Sequence, residues 1–408
     1  MKRIFGNTSL LILGLAESVS AIGDWITFMA VLAILVFRGG GGVVETSGVF
    51  LAGLLPTLII SPFAGWLVDR FNRKFLLITS QVLSGLVVSL LFFTIQVEYI
   101  YAILALEAIV LSVVTPSRQA VIPDLVSRDD LPKANAFLQQ LSGLMKVFSP
   151  FIAGIALSIM EPRTAILFDV VSFFLSAFVL TFLPSLPAHG KREEGNEKGS
   201  AARPLAVLRS IPRLRLLFTG VFTAILGIIG FDVLSSVYTR DVLHQGERIF
   251  GLSISLVGIG SLIATMLILT RKKTADPWRD LIIGFALLGS IPLVLAAVYS
   301  FGDNPMALYF VLTACLVGGI GNGLVHVQVG TIVQLITPSE ILGQVGGWLQ
   351  MIMVASQLIG MVVTPILVPS MVKMDVYFLG MSVLMALVVV YLTIQVFGKT
   401  GRQLIGPG

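Results

Sequence analysis

Apolar runs of about 20 residues or more recur along the whole chain, separated by short polar segments, and this spacing leaves few folds open. Of the 408 residues, 56% are hydrophobic and only 12% are charged. An ordinary soluble domain carries about a quarter charged residues. A water-soluble fold cannot hide this much apolar side chain, because much of any folded surface must face water. Disorder needs the opposite composition, low hydrophobicity with high charge. An outer-membrane barrel alternates polar and apolar residues along each strand, whereas these runs are continuous. The remaining class is an all-α polytopic membrane protein. Mean hydropathy of +0.96 agrees, and 40 Gly and 18 Pro are compatible with transmembrane helices.

Twelve spans are expected, at 9–37, 47–68, 75–95, 99–122, 134–160, 164–184, 214–238, 249–270, 280–300, 306–336, 344–370 and 374–397. The first, fifth, tenth and eleventh exceed a straight crossing, so tilt or extension beyond the bilayer is expected. The first run is longer than a signal-peptide core and holds Glu17 and Asp24, so no cleavable signal is expected. An even number of spans puts both termini on one side. Arg38, Arg163, Arg240, Arg248 and Lys373 fall on the opposite side, and Lys146 lies inside a span. The rest of the 27 Lys and Arg residues flank the termini's side. The positive-inside rule makes that side cytoplasmic.

The one long polar linker, 185–212, divides a six-span bundle at 1–184 from a second at 213–408. The halves resemble each other. Asp24 in the first span corresponds to Asp232 in the seventh, and segment 125–135 parallels 336–346. Parallel six-span repeats joined by a cytoplasmic linker point to a transporter with its site between the halves. The single Cys315 excludes an internal disulfide and a cysteine-based metal site.

Residues Gly65-Trp66-Leu67-Val68-Asp69-Arg70-Phe71-Asn72-Arg73-Lys74 resemble the signature loop between helices 2 and 3 of the major facilitator superfamily. The pattern departs at Asn72, where Gly is usual; Asn tolerates a positive φ better than most residues. Gly23-Asp24-Trp25 and the stretch from Pro116 through Arg118 to Asp124, followed by Leu131, Ala134 and Asn135, resemble the branch of bacterial macrolide and siderophore exporters. The resemblance implies two six-helix bundles and alternating access in the bacterial cytoplasmic membrane, with a monomer as the usual state. It makes Gly65, Asp69, Arg70 and Arg73 a conformational latch in which Asp69 pairs with Arg70 or Arg73 or faces the N-terminus of a neighbouring helix. The Gly and Pro residues of the fifth span (Gly143, Pro150, Gly154) resemble the corresponding antiporter helix. One departure stands out. Many proton-coupled relatives carry an Arg within helix 4, where this chain has Glu107, with Arg118 at the cytoplasmic end.

Ionisable residues inside a bilayer are costly and mark functional candidates. Glu17 and Asp24 share one helix face two turns apart. Glu107 lies near the middle of the fourth span. Burial favours a neutral carboxyl, which proton coupling needs, so Glu17, Asp24, Glu107 and Asp232 are the proton-coupling candidates. A structural hydrogen bond to a neighbouring helix is the alternative for Asp24. Asp169, five residues into its span, is read as a cap or an interfacial residue. In the fifth span Asn135, Gln139, Ser142, Lys146 and Ser149 form one polar face. Lys146 is expected to pair with Glu107 or Asp24, or to meet an anionic substrate group. Asn322 and His326 lie one turn apart, and Trp348 and Gln350 follow in the next span. Asp24, Gln139, Lys146, Asn322, His326, Trp348 and Gln350 are the substrate-binding candidates.

The leading expectation is a secondary transporter exporting an amphipathic or hydrophobic small molecule in exchange for protons. A lysophospholipid or other lipid transporter of the same fold, and a solute importer, are the alternatives. The sequence shows no nucleophile triad, metal-ligand cluster or phosphate-binding loop, so neither enzymatic activity nor a cofactor is expected, and no nucleic-acid partner.

Overall fold

The computed structural model describes residues 7–127, 130–184, 211–271, 276–302, 304–337 and 341–397, without the side chains of Pro62, Gly65, Asp69, Pro132, Lys133, Ala136, Gln139, Gln140, Lys146, Val147, Ser158, Leu269, Leu342, Gly343 and Gln344. Every regular element among the described residues is helical. In the first half these are α1 (Thr8–Leu32, continued by a π-helical turn, Ala33–Arg38), α2 (Val43–Arg70), α3 (Arg73–Ser89), α4 (Val97–Leu111), α5 (Val114–Leu125), α6 (Leu131–Ile159) and α7 (Pro162–Thr181). The second half contains α8 (Pro212–Asp241), α9 (Glu247–Thr270), α10 (Pro277–Leu288), α11 (Ser290–Val298), α12 (Pro305–Ile336), α13 (Leu342–Leu367) and α14 (Met374–Phe397). All twelve expected spans are present as helix. Among the described residues eleven are long and apolar enough to cross a bilayer, and a shorter apolar stretch, Leu141–Leu157, lies in α6.

Two expected spans are broken, and proline explains both breaks. The fourth span divides at Ser112–Val113 into α4 and α5. Pro116 has no N–H to donate to the carbonyl four residues earlier, that of Ser112. The ninth span divides at Gly289 into α10 and α11, where Pro292 leaves the carbonyl of Leu288 without its helical donor in the same way.

Helix starts follow from side-chain caps. Asn7 Oδ1 accepts from Leu10 N at 3.0 Å, while Asn7 Nδ2 donates to Leu125 O at 2.7 Å and ties α1 to the end of α5. Asp276 and Asn304 cap α10 and α12. Asn72 corrects the sequence expectation. Its φ is −60°, so no left-handed turn is involved; its Oδ1 accepts from Phe75 N at 3.2 Å and caps α3.

The chain folds as two compact units, Met1–Glu197 and Lys198–Gly408. The boundary falls within 185–212, of which 185–210 lie outside the described residues. In the first unit α1 lies against α6 and α7, α3 against α7, and α2 against α4. In the second, α12 packs on α9 and α10, and α8 on α13 and α14. Gly319 permits the α9–α12 approach: a Cβ there would overlap the Val257 carbonyl. Many large apolar side chains remain exposed, including Phe93 at 82% and Leu335 at 69%. Exposure on this scale fits a lipid-facing surface.

Candidate functional site

The charged interior of the first unit is built on one face of α1. Glu17, Ser20 and Asp24 follow at helical spacing. With Arg118 of α5, Gln81 of α3 and Ser142 of α6 they line a cavity of about 300 Å³. Trp25, Leu111, Val114, Leu141 and Met145 supply its apolar wall. Ser20 Oγ donates to Gln81 Oε1 at 3.2 Å, joining α1 to α3.

Three carboxyls from three helices meet at one end of this face. Asp24 of α1, Glu107 of α4 and Asp169 of α7 each place an oxygen within 4.8 Å of the others. Glu107 and Asp169 are buried, Asp169 completely. Ser172 Oγ donates to Asp169 Oδ1 at 3.1 Å, while Asp169 Oδ2 and Asp24 Oδ1 are buried with no hydrogen-bond partner among the described residues. Gly23 makes the approach possible, because a Cβ there would overlap Asp169 Oδ1 and Ser172 Oγ. Asp169 is therefore an interior carboxyl, not the interfacial cap read from its position near the helix start. Among the described residues this trio is the group of carboxyls close enough to surround one cation.

A second charged pair sits in the cavity wall. Arg118 Nη1 reaches Glu17 Oε2 at 3.0 Å and Ser142 Oγ at 3.2 Å. Glu17 thus has a cationic partner, whereas Asp24 has none among the described residues. Arg118, placed by the sequence at the end of its span, belongs to the site.

The remaining candidates separate. Gln139 and Lys146 lie on α6, but their side chains are outside the described residues, so the expected pairing of Lys146 lies there too. In the second unit Asp232 is half-buried on α8 and makes no ion pair among the described residues. Asn322 Nδ2 donates to Ser261 Oγ at 3.2 Å. His326 is exposed, as is Gln350, and Trp348 is half-buried. Gln328 is buried and donates to Asp280 Oδ2 at 3.3 Å, an oxygen that Arg271 Nη1 also reaches at 2.7 Å.

Gly65 and Asp69 lie in the last turns of α2, and nothing of their side chains is among the described residues. Both arginines offered as partners of Asp69 have other contacts. Arg70 stacks over the Trp66 ring, 4.4 Å from its centre. Arg73 Nη1 binds Asp124 Oδ2 at 2.6 Å and the Ala120 carbonyl at 2.9 Å, linking the α2–α3 loop to α5. Lys74 Nζ donates to the carbonyls of Thr181 and Leu183 at the end of α7.

Helices of membrane length, with interior carboxyls on facing helices of the first unit, define a polytopic membrane protein. The sequence matches the Major Facilitator Superfamily profile over residues 13–361, and the chain belongs to that family. An uncharacterized MFS-type transporter of Bacillus subtilis, YfiS, is 24% identical over 365 residues, 88% of this chain and 87% of the relative. The staphyloferrin A transporter of Staphylococcus aureus is 28% identical over 53% of this chain and 55% of its own length. Macrolide efflux protein A of Streptococcus pyogenes is 28% identical over 43% and 44%. The nucleoside transporter NupG superposes with a TM-score of 0.67 at 10% identity, covering 94% of this chain and 98% of its own. That similarity concerns the fold.

Proposed function

We propose that this protein is a proton-coupled secondary transporter that exports an amphipathic small molecule across the bacterial cytoplasmic membrane by alternating access. The observation that carries the reading is the carboxyl trio Asp24, Glu107 and Asp169. Two unit charges 4.8 Å apart repel by about 3.5 kcal/mol at an effective dielectric near 20. Three ionised carboxyls there would carry three such repulsions with no described cation to offset them. The trio therefore works as a proton store that fills and empties as the site changes access. Glu17, held by Arg118, and Asp232 are the secondary proton sites. The Arg73–Asp124 link, with Gly65, Asp69 and Arg70 nearby in sequence, serves as the cytoplasmic latch. Efflux as the direction is supported by macrolide efflux protein A among the relatives. Both termini lie in the cytoplasm on this reading, and the protein acts as a monomer.

The test uses proteoliposomes holding the purified chain under an imposed pH gradient, with a macrolide and an iron-free siderophore as trial substrates. The expected result is substrate movement driven by the gradient and lost in Asp24→Asn. Movement indifferent to the gradient and intact in Asp24→Asn would sink the proposal.

A further inference from the structure

Arg118 presents more hydrogen-bonding capacity than the protein uses. A guanidinium carries five N–H donors in a planar fork. Among the described residues Nη1 alone is engaged, by Glu17 and Ser142. The Nε and Nη2 donors make no hydrogen bond among the described residues, and the side chain is 24% exposed. Arg118 and Glu17 both line the cavity, facing an apolar wall that includes Trp25 and Leu111. Glu17 thus balances the arginine's charge on one edge, and its other donors remain unused among the described residues. Such a fork matches a carboxylate or phosphate held by two parallel bonds.

We propose that the first-unit cavity takes the anionic group of an amphipathic substrate on the Nε and Nη2 donors of Arg118, with the substrate's apolar body against Trp25 and Leu111. Glu17 is the internal counter-ion that balances the arginine's charge and orients it when the site is empty. This deepens the transport reading above, since it names the chemical class that the same cavity selects. A compound with a carboxylate or phosphate on an apolar body is preferred over its neutral amide.

The test is equilibrium dialysis of the detergent-purified full chain with 1-naphthoate and its neutral isostere 1-naphthamide. Naphthoate is expected to bind saturably and about tenfold or more tighter than the amide, the difference a charge-assisted pair of bonds supplies. Arg118→Lys, which keeps the charge and loses the fork, is expected to remove most of that preference. Glu17→Gln is expected to retain it. The charge-neutral double variant Glu17→Gln with Arg118→Gln controls for folding and is expected to bind both probes alike. Displacement of naphthoate by lysophosphatidylglycerol supports the proposal with a lipid headgroup as the source of the anion. Retention of naphthoate supports it with a free solute as the source. Equal affinities for the two probes, absence of saturable naphthoate binding, or a preference unchanged in Arg118→Lys overturns it. Because the readout is binding, Arg118-dependent selection of naphthoate without gradient-driven transport would overturn the coupling mechanism alone.

Discussion

Gly23 lies directly against Asp169, so close that a single added methyl would occupy the space of the Asp169 Oδ1 and Ser172 Oγ atoms. The residue next to Asp24 in sequence thereby decides whether the α7 carboxyl can join the α1 carboxyl. Gly23→Ala must push α7 away or rotate Asp169 out of the trio. Overpacking of this kind costs about 1–3 kcal/mol. We expect lower thermal stability in detergent together with weakened gradient-driven transport. Unchanged stability and transport would show that the approach of α7 to α1 is unimportant.

Asp169→Asn separates charge from shape. The carboxamide is nearly isosteric and can still accept from Ser172, so α1 and α7 should pack as before. The trio then has two ionisable members instead of three. The expected outcome is a folded protein that moves fewer protons for each substrate molecule. Proton and substrate fluxes measured together in the same vesicles give the ratio, and a wild-type ratio in this variant would remove Asp169 from the coupling site.

Much of this architecture is legible in the chain because bilayer thickness and backbone hydrogen bonding act on composition alone. The twelve spans follow from apolar run length, and Pro116 and Pro292 mark the two breaks, although span counting alone passes over them. Asp24 and Glu107 stand out as carboxyls far from any polar flank. Asp169 does not, because position along a helix says nothing about which face is covered, and Gly23 gives it cover from a distant part of the sequence. Arg118 is visible in the sequence only as a charge near a helix end. Its contact with Glu17 bridges 101 residues, and no local spacing reports a pairing of that range. Asn72 misleads for a related reason. The family position favours Gly, which suggests a positive φ, but the same residue is also a helix cap.

The two readings of Asn72 predict different mutational series. A side chain that caps α3 is worth about 1 kcal/mol over Ala, while Gly at an N-cap loses only a few tenths. Asn72→Ala is therefore expected to lower stability by about 1 kcal/mol, and Asn72→Gly, which restores the residue usual in the family, by much less. Were a left-handed turn the constraint, Asn72→Gly would instead stabilise the protein. Unfolding of the three proteins in the same micelles distinguishes the cases.

Arg73 and Asp124 join the α2–α3 loop to α5, with Arg73 Nη1 and Asp124 Oδ2 at 2.6 Å and both side chains mostly covered, at 11% and 20% exposure. Arg73 also holds the Ala120 carbonyl, so its loss breaks two contacts to α5. Removing either member leaves the other charge poorly solvated, and removing both does not. In a cycle of Arg73→Gln, Asp124→Asn and the double variant, the double is expected to be more stable than additivity predicts, by about 1 kcal/mol or more. The functional consequence has its own sign. If this link helps hold the cytoplasmic side closed, each single variant shifts the population toward the state open to the cytoplasm. Cysteine labelling from that side reads the shift directly once Cys315, which is buried, is replaced by Ser. A reporter cysteine in the cavity wall at Ser142 should react faster in Arg73→Gln than in the parent. Equal labelling rates would confine the Arg73–Asp124 pair to stabilising the loop, with no part in gating.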